Sequence, residues 1–209
     1  MRTDEDSVAA AAPVARAELL DRLQYFKLEP RVIVDLGCGG GEGATALRRR
    51  FPRACVIAVD ADFTKTQQAR RAQRFWRRYD CVCADARVLP LAAQSVDLLF
   101  SNLLLPHCAE PAQVFAEVQR ALRPNGLLLF ATLGPATAPQ LPDLPQLGAA
   151  LGAAGLREPV MDRENMCGCE LIYGAAFAGQ RTESAAGHDG EHSGEALVPL
   201  SSLRRRPHP

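Results

Sequence analysis

No run of apolar residues in this 209-residue sequence reaches the roughly 20 needed to cross a bilayer as a helix, so a membrane span of that kind is not expected. Surplus charge is missing as well. The 24 basic and 24 acidic side chains cancel, which argues against nucleic acid as the main partner. The amino terminus carries Asp4, Glu5 and Asp6 where a secretory or mitochondrial leader would be basic, which predicts a cytoplasmic protein. Cysteine occurs without a framework: seven residues, an odd number scattered through apolar segments, read as free thiols in a reducing compartment. Cys81-Val-Cys83 and Cys167-Gly-Cys169 lack the two-residue spacer of common zinc knuckles, so no metal is expected. His188 and His192 could form a metal pair only on a stable helix, and Gly187, Gly190 and Gly194 argue against one. There is no internal repeat. Length and a hydrophobic content of 47% fit one domain with a full core.

What the sequence does have is concentrated between Arg31 and Gly43. Val32, Ile33, Val34 and Leu36 form a short β-branched run, as in a strand buried on both faces. Gly37, Gly39, Gly40, Gly41 and Gly43 end it, and helix formers follow from Ala44 to Arg50. Strand, glycine turn and helix together let a ligand approach bare backbone at a helix amino end. No lysine follows in the manner of a Walker loop. Glu42 stands where a dinucleotide fingerprint wants its third glycine, and its carboxylate would repel a pyrophosphate. Gly37-x-Gly39-x-Gly41 preceded by Asp35 suits a ligand with a cationic amino-acid end and no phosphates, such as S-adenosylmethionine.

Other candidate ligands of that molecule fall at later strand ends. Residues 54–59 read as a second strand closing on Asp60, 17 residues beyond Gly43, where an acid can accept both ribose hydroxyls, with Ala61 beside it. A third strand, 80–84, leads to Asp85 and Ala86, a carboxylate and a backbone N–H for an adenine edge. A fourth, 96–100, ends at Ser101. His107 follows shortly after and is the one weak candidate for a direct role at the reacting centre; no catalytic residue is otherwise evident. The run after the fourth strand lacks the Asn/Asp-Pro-Pro-Tyr/Phe pattern of amino-nitrogen methylation, which disfavours adenine and glutamine-amide acceptors.

The remaining pattern alternates helix and strand. Residues 1–12 are expected to be loose, and a helix to open at Pro13 with Ala15, Leu19, Leu23 and Phe26 on one face, beside the sheet and over the site. A helix over 62–78 would carry Arg70, Arg74 and Arg78 on one face, either solvated or a dock for an acidic partner, with Phe75 and Trp76 packed inward. Helices over 110–122 and 144–154, a strand over 127–132, and two closing strands near 157–161 and 170–177 complete a doubly wound, mostly parallel seven-stranded sheet. From about Gln180 the composition is too polar to order, and Arg204, Arg205 and Arg206 read as solvated. The expected organisation is a flexible 1–12, a domain over 13–178 and a disordered tail over 179–209.

Val-Asp-Leu-Gly-Cys-Gly at 34–39, Val-Asp at 59–60, Cys-Ala-Asp-Ala at 83–86 and Leu-Arg-Pro-Asn-Gly at 122–126 resemble class I S-adenosylmethionine-dependent methyltransferases, a Rossmann-like fold. More narrowly, Phe-Ser-Asn-Leu-Leu-Leu at 100–105 with Cys108, and Leu-Phe-Ala-Thr-Leu-Gly-Pro at 129–135, are similar to the malonyl-acyl carrier protein O-methyltransferases of biotin synthesis. So are the segments 147–156 and 158–162. That resemblance implies S-adenosylmethionine as cofactor and methylation of the free carboxylate of a malonyl thioester, with acyl carrier protein or a small carboxylate as partner. Pro106-His107 stands where that family has Gln-Trp, and Leu144-Pro145-Gln146 where it has Met-His-Asp. The connections after Pro135 and after Met161 are shorter than the family's helical insertions, which help form its lid. Other readings are an assembly or interaction protein on the same fold with lost turnover, a hydroxylase or assembly factor, an RNA methyltransferase, or a methyltransferase of another small molecule.

Overall fold

The structure, a computed structural model, describes residues 4–73 and 78–179. Expectations for Arg74, Phe75, Trp76, the tail, its two histidines and its three arginines therefore fall outside the described residues. Seven strands form one sheet in the order β3-β2-β1-β4-β5-β7-β6. They are β1 (Val32–Leu36), β2 (Cys55–Asp60), β3 (Asp80–Cys83), β4 (Val96–Asn102), β5 (Leu122–Leu133), β6 (Leu156–Met166) and β7 (Cys169–Ala178). Neighbours are parallel from β3 to β5; β7 runs antiparallel to both β5 and β6. The doubly wound, mostly parallel seven-stranded sheet is the one expected.

Helices α1 (Asp4–Arg22), α2 (Glu42–Arg50) and α3 (Phe63–Ala72) cover one face; α4 (Pro111–Ala121) and α5 (Leu144–Ala153) cover the other. Strand alternation explains the division. Ile33 of β1 joins the core under α1 and α2, whereas Val34 and Leu36 join the core under α4 and α5. Asp35 shares the parity of Ile33, so its carboxylate lies on the α1 side.

Several boundaries differ from the sequence reading; β4 runs on to Asn102 and β6 to Met166, and three further differences have clear causes. The first helix starts at Asp4 and not at Pro13, which lies inside it. The segment expected to be loose is helical because its alanines favour helix and because Ala11, Ala15, Leu19 and Leu23 extend one buried stripe at four-residue spacing. The third helix stops at Ala72, so Arg70 and Arg78 share no helical face. Carrying it to Arg78 would leave no residues to turn into β3, and the Gln73 side chain instead donates to the Tyr79 carbonyl at 2.8 Å. Strand β5 begins at Leu122, five residues before the expected start. Val96 pairs with Leu122 and Leu98 with Leu127, so the intervening Pro-Asn-Gly turn bulges out of a ladder that continues around it.

Candidate active site

The carboxyl ends of β1, β2, β3 and β4 open onto a cavity of about 580 Å³. Such crevices outside parallel strand ends are where open α/β sheets hold ligands. Gly37, Gly39, Asp60, Ala61, Asp85, Ala86 and His107 all line it, so seven of the residues singled out from sequence meet at one place. A smaller cavity of about 190 Å³, lined by Asp35, Gly37 and Gly39, shares Ala12 and Asn102 with the large one and extends it toward α2.

The glycine turn is built around positive φ angles at Gly37, Gly39 and Gly41, which a side chain would strain. Its backbone is anchored on the next strand: the amides of Gly37 and Cys38 both donate to the Val59 carbonyl, at 2.8 and 3.0 Å. Asp60 completes the hold. Its Oδ2 accepts from the Gly39 amide and its Oδ1 from the Asp62 amide, both at 2.9 Å. The carboxylate is thus oriented before any ligand arrives, with lone pairs left over.

Asp35 is almost wholly buried, accepts a hydrogen bond from the Ala44 amide, and its Oδ2 has no partner. Burial pushes its carboxyl up to about 7, against the opposing pull of the Ala44 amide and the Arg16 charge. The first turn of α2 comes so close that a Cβ on Gly43 would lie 2.6 Å from Asp35 Oδ2. A side chain there would force the buried carboxylate to move. The other buried side-chain atom without a partner among the described residues is Asn102 Oδ1, on the wall of the same small cavity.

Asp85 is exposed and forms a bidentate pair with Arg87, which hydrogen-bonds it from Nε and from Nη2, the latter at 2.7 Å. Those bonds hold its carboxyl down, at about 2. An adenine amine would have to share this acceptor with Arg87.

Two expected residues do not reach a cavity wall. The Ser101 hydroxyl is buried and donates to the Leu36 carbonyl at 3.0 Å, tying β4 to β1. Period-two alternation turns it away and brings in Asn102, because β4 runs two residues further than its apolar run. Gly41 is the N-cap of α2, where an added Cβ would collide with the Tyr79 hydroxyl and Ala69; its role is close packing.

Sequence reasoning missed several wall residues. Val8, Ala9 and Ala12 come from α1, and Leu103, Leu104 and Cys108 from the turn after β4. Leu103 holds a φ of +56°, and the 3-10 turn Leu105–His107 follows it. The strand-end rule could have found Asn102. The first helix is expected over the site, but its lining residues Val8, Ala9 and Ala12 fall in the segment expected to be loose.

A family model described as a methyltransferase domain matches residues 34–130, which contain every strand-end residue of the crevice. A malonyl-acyl carrier protein O-methyltransferase of Methylovorus sp. (strain MP688) is 37% identical, covering 90% of this chain and 72% of the relative. One from Xylella fastidiosa (strain M23) is 38% identical over 76% of this chain and 60% of its own length. The first alignment runs over 216 positions, more than the 209 residues of the chain, so the relative carries extra residues inside the matched span. Among solved structures, Haemonchus contortus phosphoethanolamine N-methyltransferase 2 in complex with S-adenosyl-L-methionine superposes with a TM-score of 0.68 at 16% identity, over 85% of this chain and 58% of that one. By its fold, its strand-end crevice and these identities, the chain belongs to the malonyl-acyl carrier protein O-methyltransferase family of class I S-adenosylmethionine-dependent methyltransferases.

Proposed function

We propose that this protein transfers a methyl group from S-adenosylmethionine to the free carboxylate of a malonyl thioester borne on acyl carrier protein, in biotin precursor synthesis. The observation that carries the cofactor half is the pair of orphaned buried acceptors, Asp35 Oδ2 and Asn102 Oδ1, beside a turn of bare glycine backbone. Buried polar atoms without partners are rare, and an α-ammonium supplies the donors that these two lack. Asp60, already oriented by two amides, would accept the ribose hydroxyls, and Asp85 with the Ala86 amide would meet the adenine edge. Ala61 would flank the nucleoside.

When bound, the sulfonium of the cofactor supplies an electrophilic methyl group. The acceptor carboxylate is ionised at neutral pH, so its oxygen forms the new bond without giving up a proton, and no general base is needed. The chain's work is alignment and exclusion of water. Leu103 and Leu104 give the large cavity an apolar wall for the acceptor, and Leu103 holds a left-handed conformation there. His107 lines this region and can orient an acceptor oxygen by donating a hydrogen bond.

The test is direct. Purified protein, S-adenosylmethionine and malonyl-loaded carrier are followed by mass spectrometry for the gain of one methyl per carrier. Transfer to free malonyl thioesters but not to the carrier would favour a small carboxylate as acceptor. Cofactor binding with no transfer to either would leave a methyltransferase fold used for assembly. Complementation of a biotin-requiring strain checks the same reading in cells.

A further inference from the structure

The small cavity has an acceptor side and a cationic side, and only the first is explained by an ammonium. Arg16, on α1, also lines it. The residue is half-buried, takes part in no hydrogen bond or ion pair among the described residues, and is near enough for its charge to pull on the Asp35 carboxyl. Glu42 lines the cavity too, but its carboxylate folds back over Gly40, with Oε1 2.7 Å from where a Cβ of that glycine would sit.

The placement of Arg16 is fixed from both sides along its helix. One turn before it, the Ala12 carbonyl accepts from Asn102 Nδ2 at 3.0 Å. A carbonyl can receive only the amide nitrogen of Asn102, so Asn102 Oδ1 is the atom left without a partner, in a residue that lines the cavity. Ala12 and Arg16 are four residues apart, hence on one face. Further along, Arg22 pins the end of α1 to β6 through Asp162 and Glu164 and lies 4.2 Å from the Tyr173 ring centroid.

We infer that Arg16 binds the carboxylate of the cofactor's amino-acid end, so that α1 and β1–β4 together recognise a zwitterion: ammonium on Asp35 and Asn102, carboxylate on Arg16. This rests on the cofactor reading above. It makes α1 a wall whose positioning residue acts only on ligands that carry the amino acid.

Calorimetric titration with S-adenosylhomocysteine and with 5′-methylthioadenosine, which keeps the nucleoside and sulfur but lacks the amino acid, separates the possibilities. Arg16→Met should lower affinity for S-adenosylhomocysteine on the order of 10- to 100-fold, the usual effect of losing a charge-assisted hydrogen bond. Affinity for 5′-methylthioadenosine should not change, and Arg16→Lys should recover part of the loss. If Arg16→Met folds poorly, Arg16→Gln serves for the same pair of titrations. Unchanged binding of S-adenosylhomocysteine by the variants would overturn the inference, as would an equal loss of both ligands, which would mean that α1 had shifted. Wild-type protein that binds neither ligand would instead overturn the cofactor reading itself.

Discussion

At the scale of single residues, the crevice holds a carboxylate under tension. Asp35 is pushed up to about 7 by burial from an ordinary value of 3.8, so between those two pH values the folded chain binds more protons than the unfolded one. The linkage sign follows: its stabilising contribution is complete below the lower value and is lost as pH rises through the upper one. Asp35→Asn keeps an acceptor for the Ala44 amide and removes the titration. The ligand-free variant should therefore gain stability over wild type as pH rises from 5 to 8, by up to about 1.4 kcal/mol per unit across the window. Denaturant melts at several pH values measure this; a pH-independent difference would refute it. The same variant should bind S-adenosylhomocysteine more weakly, since the ammonium loses its charged partner. Asp60→Ala should weaken that ligand by on the order of 1–3 kcal/mol, the loss expected when hydrogen-bonding groups are stranded. Unchanged affinity in calorimetry would remove Asp60 from the ribose site.

Among the elements, α1 is the one whose position was earned by contacts far along the chain. Arg22 is buried and bonded to Glu18 of its own helix and to Asp162 and Glu164 of β6, while its guanidinium covers Tyr173. Desolvation opposes this charge, and the Asp162 and Glu18 carboxylates overcome it, raising its pKa. Arg22→Met strands those acids. Breaking a fully buried pair costs about 3–5 kcal/mol; the partly exposed Glu164 and Asp162 reduce this to about 2 kcal/mol. Thermal melting should show the loss, and adding Asp162→Leu should restore part of it. Because α1 supplies the Ala12 and Arg16 walls, the single variant should also bind S-adenosylhomocysteine less tightly. A stable variant with wild-type affinity would show that the clamp is dispensable. The connections after β5 and after β6 are equally well tied. Glu170 accepts from the Ala136 amide at 2.7 Å and from Arg163 at 3.1 Å, and its own amide donates to the Thr137 hydroxyl. Between β6 and β7, Cys167 and Gly168 make a two-residue turn with positive φ at both positions.

For the whole molecule, the cavity is walled among the described residues by α1, the strand ends, Lys65 of α3, Arg87 and the segment 102–109. Among the described residues, none beyond Ala109 lines it. Binding of S-adenosylhomocysteine at 100 times its dissociation constant should add about 2.7 kcal/mol to stability. Hydrogen exchange should then slow in the glycine turn and in α1 together, because the ligand would bridge them. Protection confined to the glycine turn would show that α1 takes no part in binding. Among the described residues no helix is long and apolar enough to cross a membrane.

What the sequence alone determined was local. Apolar runs of period two, glycines at positions needing positive φ, and acids just past strand ends are set by backbone sterics and by strand burial. They specify Gly37, Gly39, Asp60, Asp85 and the sheet that gathers them. The tertiary structure decided what depends on neighbours. Pro13 was no helix start, because alanines packed on the sheet outweigh one missing N–H. The Asp35 carboxyl is perturbed because Gly43 and α1 shut water out. Asn102 faces the cavity and Ser101 does not, because β4 extends two residues beyond its apolar run. Arg22 shows only Glu18 in its own segment; Asp162 and Glu164 lie on a strand far along the chain, and only folding brings those charges together.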